Sequence, residues 1–144
     1  MFNNLKIFIL DNDPSTRDRY SNHLKNMGFV NIFQFNNITD CLSKLSHQPN
    51  IIIIDQGNEP QQNIDVIKKI KGYNPDIYVV YVTDKNQLQF ALQAQRNGAY
   101  DFFIKGQNEE YMINELFNRI INIMNLLIKK PITSKFNQVN FFSL

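Results

Sequence analysis

The apolar positions of this 144-residue chain gather into five short runs, each closed by polar residues. The most pronounced is Ile51-Ile52-Ile53-Ile54, which stops at Asp55. A run that is apolar on both faces fits a central strand of a parallel sheet, covered by helices on each side. The other runs are residues 5–10, ending at Asp11-Asn12-Asp13-Pro14-Ser15; 30–35; 77–82, ending at Thr83 and Asp84; and 102–104, ending at Lys105. Helical segments separate them. Pro14 suits the first turn of a helix capped by Asp13 and stopped at Gly28. Further helices are expected over 40–45, over 64–71 with Ile64, Ile67 and Ile70 on one face, and over 87–96. A long last helix, capped by Asn108, is expected over 109–130, with Pro131 ending it.

Strand and helix thus alternate five times. That order predicts an α/β domain: a doubly wound parallel sheet with helices on both faces and right-handed crossovers. The length suits one domain with a full core. Residues 1–130 are read as that domain. Residues 131–144, with Phe136, Val139, Phe141, Phe142 and Leu144, are read as a tail or linker. The last helix holds more apolar residues than the three positions in seven, roughly, that a core-facing side uses. The surplus predicts an exposed apolar strip for dimerisation or a partner.

Composition narrows the function classes. Hydrophobic residues make up 43% of the chain, as expected of a globular protein. The net charge of +2 comes without a dense basic cluster, so no direct nucleic-acid binding is expected. One cysteine, Cys41, excludes an internal disulfide and a cysteine-rich metal site. Neither a signal peptide nor a run of membrane-spanning length is visible, so the expectation is a cytoplasmic protein without membrane contact. His23 and His47 are isolated and are read as surface or helix-end residues.

In a parallel sheet the carboxyl ends of the strands lie along one rim, where such sheets build their sites. That rim would carry Asp11, Asn12 and Asp13, then Asp55, Thr83 and Lys105. A chemistry they can share is phosphoryl transfer. A carboxylate can become an aspartyl phosphate, a divalent cation such as Mg²⁺ can bridge carboxylates and phosphoryl oxygens, and a hydroxyl and an ammonium can hold the rest. Singly, each residue also has a plain structural use. Asp11 and Asp13 serve as turn and cap, Thr83 closes a strand, and Lys105 is a surface cation.

Four segments in order carry a resemblance: Ile7-Phe8-Ile9-Leu10-Asp11-Asn12-Asp13-Pro14-Ser15, Pro49-Asn50-Ile51-Ile52-Ile53-Ile54-Asp55, Val80-Tyr81-Val82-Thr83, and Asn97-Gly98-Ala99-Tyr100-Asp101-Phe102-Phe103-Ile104-Lys105. Together they resemble the receiver domain of two-component response regulators, over about residues 5–128. The resemblance implies a CheY-like sheet of five strands in the order 2-1-3-4-5. It implies that Asp55 accepts phosphate from a histidine kinase or a histidine phosphotransfer protein. Asp11, Asn12, Asp55 and the carbonyl of Gly57 would form the Mg²⁺ site. Thr83 and Lys105 would grip the phosphoryl group. Phe102 would follow Thr83 and report the change to a face of the fourth helix, fifth strand and fifth helix, where a homodimer can also form. Apart from self-catalysed phosphoryl transfer and dephosphorylation, no enzymatic activity is implied.

Three positions depart from the family pattern. Asn12 replaces an acid, which removes one negative charge from the metal site and should weaken Mg²⁺ binding. Asp84 replaces a small residue after Thr83, where it would repel an incoming phosphoryl group. Gly106 replaces a proline and should loosen the loop that presents Lys105. Asn12 and Asp84 also support an alternative, a pseudo-receiver that binds partners without being phosphorylated. A third reading follows from Asp11-Asn12-Asp13, which resembles the first motif of haloacid-dehalogenase-type phosphatases. There Asp11 would be the nucleophile and Asp13 the acid/base, with Thr83 and Lys105 holding phosphate.

Overall fold

A computed structural model describes residues 4–129. The elements run β1 (Lys6–Leu10), α1 (Pro14–Asn26), β2 (Asn31–Phe35), α2 (Ile38–Ser43), β3 (Ile51–Asp55), α3 (Pro60–Tyr73), β4 (Tyr78–Thr83), α4 (Leu88–Arg96), β5 (Asp101–Ile104) and α5 (Glu109–Lys129). The five strands form one parallel sheet in the order β2-β1-β3-β4-β5.

Strand alternation sorts the core into two layers. Phe8, Leu10, Ile52, Ile54, Val79 and Tyr81 point to one face, where they pack with Cys41 of α2, Ile64, Ile67 and Ile70 of α3, and Ala91 and Ala94 of α4. Their neighbours Ile7, Ile9, Ile51, Ile53, Val80 and Val82 point the other way and are equally buried. On that side Tyr20 of α1 meets Phe103 of β5 edge to face, with ring centroids 5.8 Å apart. Every residue of β3 is buried, which explains its unbroken isoleucine run.

Helix starts follow local chemistry. Asp13 caps α1 by accepting the Thr16 N–H, and Pro14 occupies the first turn. Asn37 caps α2 by accepting the Asp40 N–H at 2.8 Å, so this helix begins at Ile38, earlier than the expected residue 40. It ends at Ser43, and a single 3-10 turn over Leu45–His47 follows. Helix α3 begins at Pro60, four residues before the expected start. Its first turn carries exposed Gln61 and Gln62, so apolar periodicity is silent there. A 3-10 turn, Lys85–Gln87, precedes α4.

Within α5, Ile113, Leu116, Phe117 and Ile120 are buried, Ile121, Ile123 and Met124 are half-buried, and Leu126, Leu127 and Ile128, consecutive residues near its end, are exposed. The expected tail at 131–144 lies outside the described residues. Among the described residues, no helix is long and apolar enough to cross a membrane.

Candidate functional site

The strand register sets the site. Leu10 pairs with Ile54, Asp55 with Val82, and Thr83 with Ile104. Asp11, Asp55, Thr83 and Lys105 therefore reach the same rim of the sheet, each at or one residue beyond the end of its strand. The ladder continues one step into the loops: Asp11 N–H donates to Phe35, Gln56 N–H to Val82 and Lys105 N–H to Thr83 carbonyls, at 2.8–3.1 Å. These bonds fix the backbone from which the side chains project.

Asp55 is buried, with its carboxylate held from two sides. Lys105 Nζ lies 2.7 Å from Oδ1, which has no other partner among the described residues, and the Gly57 N–H donates to Oδ2 at 2.9 Å. The Asp55 carbonyl accepts from the buried amide of Asn63. Gly57 has φ +72°, and a Cβ there would stand 2.9 Å from Asn63 Nδ2. A side chain at 57 would thus meet both backbone strain and the Asn63 clamp.

Asp11 is also buried. One oxygen accepts the Asp13 N–H at 2.9 Å, and the other, Oδ2, has no hydrogen-bond partner among the described residues. Burial raises the Asp11 pKa above its ordinary value of 3.8, and the neighbouring charge of Asp55 adds to the rise against the opposing Asp13 N–H and Lys105. Lys105 is 34% exposed. Burial pulls its ammonium down, but the bond to Asp55 and the surrounding carboxylates outweigh that and hold it above the ordinary value. A cleft of about 510 Å³ opens over Asp11 and Asp55, lined also by Asn12, Gly57, Glu59 and Asn63 among others, but not by Lys105. Asp13 is not in the lining: its Oδ2 is taken up by Thr16 N and Oγ1.

The oxygen-rich lining suits Mg²⁺, which uses one or two carboxylates and leaves the remaining positions to water and phosphate. The unpartnered Asp11 Oδ2 is the observation that fits it best. Among the described residues, no three His, Cys, Asp or Glu side chains gather to enclose a metal unaided.

Thr83 is fully buried, and its hydroxyl does not address Asp55. Its acceptors are Gln56 Oε1 at 3.1 Å and the carbonyls of Asp84 and Gln87 at 3.1 and 3.2 Å. Asp84 does not project alone, since its Oδ2 accepts from Gln56 Nε2 at 3.1 Å. Phe102 is half-buried against the core layer that holds Tyr81. The Tyr81 hydroxyl, two residues before Thr83 on the same face of β4, is buried and has no hydrogen-bond partner among the described residues.

Gly106 has φ +80°, but the loop it starts is anchored. Glu109, only 9% exposed, accepts from Arg19 Nη1 at 2.6 Å and Tyr20 Oη at 2.8 Å. It also accepts the Gly106 N–H. This brace to α1 opposes the loosening expected where proline is absent. Sequence reasoning missed both it and Gln56. The only signal was a polar residue next to an apolar strand in one case and an acid at a helix start in the other.

A doubly wound 2-1-3-4-5 sheet with a buried aspartate, a second acid and a lysine at its carboxyl rim defines the receiver class of signalling domain. The chain belongs to the response regulator receiver domain family, whose sequence model matches residues 7–117. It is 30% identical over 100 residues to the C4-dicarboxylate transport transcriptional regulatory protein DctD of Rhizobium meliloti (strain 1021). That match takes in 69% of this chain but 22% of DctD, so the chain spans about a fifth of that relative's length. Among solved structures, a two-component response regulator from Clostridium difficile matches at 25% identity and a TM-score of 0.74, over 84% of this chain and 98% of its own. A response regulator receiver domain protein from Clostridium thermocellum, at 21% identity, shares the fold with a TM-score of 0.76, over 85% and 98%.

Proposed function

We propose that Asp55 is the phosphoacceptor of this receiver, taking a phosphoryl group from a histidine kinase or a histidine phosphotransfer protein. The observation that carries this reading is the pairing of Asp55 with Lys105 beside the unpartnered oxygen of Asp11. An Asp55 oxygen attacks the phosphorus of a phosphohistidine. The P–O bond forms as the P–N bond breaks, and the imidazole leaves with the electron pair and takes a proton from solvent. Lys105 is placed to follow the charge onto the phosphoryl oxygens, and the Gly57 N–H keeps the carboxylate aimed. Asp11, Asn12, Asp55 and Gly57 would hold Mg²⁺, which supplies neutralising charge when bound. Thr83 and Phe102 would carry the change towards α4 and β5. Residues 1–130 would form this cytoplasmic module, with 131–144 as tail or linker.

The test is mass spectrometry after treatment with acetyl phosphate and Mg²⁺. Wild type should gain one phosphoryl group, and Asp55→Asn none. Label that survives in Asp55→Asn and disappears in Asp11→Asn would replace this reading with the phosphatase one. Absence of label in every form, together with no response to beryllofluoride at millimolar Mg²⁺, would leave the pseudo-receiver.

A further inference from the structure

The register that pairs Asp55 with Val82 places the next residue, Gln56, beside Thr83. Strand alternation turns Gln56 away from Asp55 and towards the β4–α4 connection. There its side chain is 5% exposed, and both ends of the amide are engaged twice. Oε1 accepts from the Asp84 N–H at 2.9 Å and from Thr83 Oγ1 at 3.1 Å. Nε2 donates to Asp84 Oδ2 at 3.1 Å and to Gln87 Oε1 at 2.6 Å. The partners fix the amide orientation, because a backbone N–H only donates and a carboxylate only accepts.

Thr83 has a single hydroxyl proton, and all its acceptors belong to this cluster. Any group built on Asp55 must therefore draw that proton away from Gln56 and the loop carbonyls. We propose that Gln56 is a positioning residue that latches the β4–α4 connection and competes with a phosphoryl group on Asp55 for the Thr83 hydroxyl. This rests on the receiver reading and deepens it. The latch sets how much of the protein has Thr83 free to turn, so it reduces apparent affinity for the phosphoryl group by that fraction. Asp84 thereby gains a second meaning: its carboxylate is one jaw of the latch.

Gln56→Met keeps the length of the side chain and removes every polar contact. Without ligand, amide hydrogen exchange at Asp84 should be about tenfold faster in Gln56→Met than in wild type, because Gln56 supplies its acceptor. With Mg²⁺ present, beryllofluoride should bind the variant roughly fivefold more tightly, the worth of about one net hydrogen bond. In a Thr83→Val background the same substitution should change beryllofluoride affinity less than about twofold. Gln87→Ala, which opens the 2.6 Å clasp from the less buried side, should give a smaller gain and guards against a misfolded Gln56 variant. Unchanged exchange at Asp84 would overturn the latch. Faster exchange with unchanged affinity, or a gain that persists without the Thr83 hydroxyl, would overturn its coupling to Asp55. Failure of wild type itself to bind beryllofluoride would instead overturn the receiver reading, and the proposal with it.

Discussion

Replacing Glu109 tests whether the loop after Lys105 is held by α1. Glu109→Ala leaves the Tyr20 hydroxyl, on a residue 2% exposed, without its acceptor. An orphaned buried hydroxyl costs about 1–3 kcal/mol. The bond to Arg19 adds roughly 0.5 kcal/mol, since Arg19 is half in solvent and its charge is screened. The expected loss is about 2–3 kcal/mol, or a melting temperature lower by roughly 6–10 °C for a chain of this size. Tyr20→Phe should lose about 1 kcal/mol, because Arg19 still satisfies the carboxylate. In the double variant no phenol remains to be orphaned, so the combined loss should fall short of the sum by about 1 kcal/mol. Urea unfolding followed by circular dichroism measures all four forms, with unchanged slopes as the check on two-state behaviour. Burial would raise the Glu109 pKa, but the bonds from Arg19 and Tyr20 outweigh it and hold the carboxyl below its ordinary value of 4.5. The folded-state value is the lower one, so the stabilisation is complete above about pH 4.5 and is lost as pH falls through the folded-state value. The gap between wild type and Glu109→Ala should therefore narrow in acid. Additive losses, or a gap independent of pH down to strong acid, would refute the brace.

Other outcomes follow from the same groups. Asp11→Asn should stabilise the metal-free protein by about 0.5–2 kcal/mol at pH 7, a usual range for relieving surplus charge, and should abolish any Mg²⁺-induced rise in melting temperature. Because the Asp11 pKa is raised, its ionised form carries the penalty. The gain should be full above the folded-state value and vanish towards pH 3.8, and a gain that persists there would contradict the charge explanation. Burial pushes the Cys41 thiol up to about 12, so a thiol reagent at pH 8 should label it only as fast as the protein opens. Labelling at the rate of a free thiol would contradict the packing of α2.

The sequence by itself determined the architecture. Apolar runs of strand length alternate with helical segments, and an all-isoleucine strand demands cover on both faces, so the parallel sheet was legible before any coordinates. Asp55, Asp11, Thr83 and Lys105 were legible too, because each stands where an apolar run ends, and the ends of parallel strands share one rim. Helix starts were legible where a cap signalled them, as at Asp13, and obscure where the first turn is exposed and polar, as at Gln61 and Gln62. Only the tertiary structure decided what the side chains at that rim do. The Thr83 hydroxyl is spent on the β4–α4 connection, Asp84 faces an amide, and Glu109 ties a glycine loop to α1. The contacts that anchor these groups join residues distant in the chain, 27 apart for Gln56 and Thr83 and 89 apart for Tyr20 and Glu109. Local pattern reports a residue's neighbours along one element, whereas a hydrogen bond between loops depends on register and packing angle, which are set only once the whole sheet has assembled.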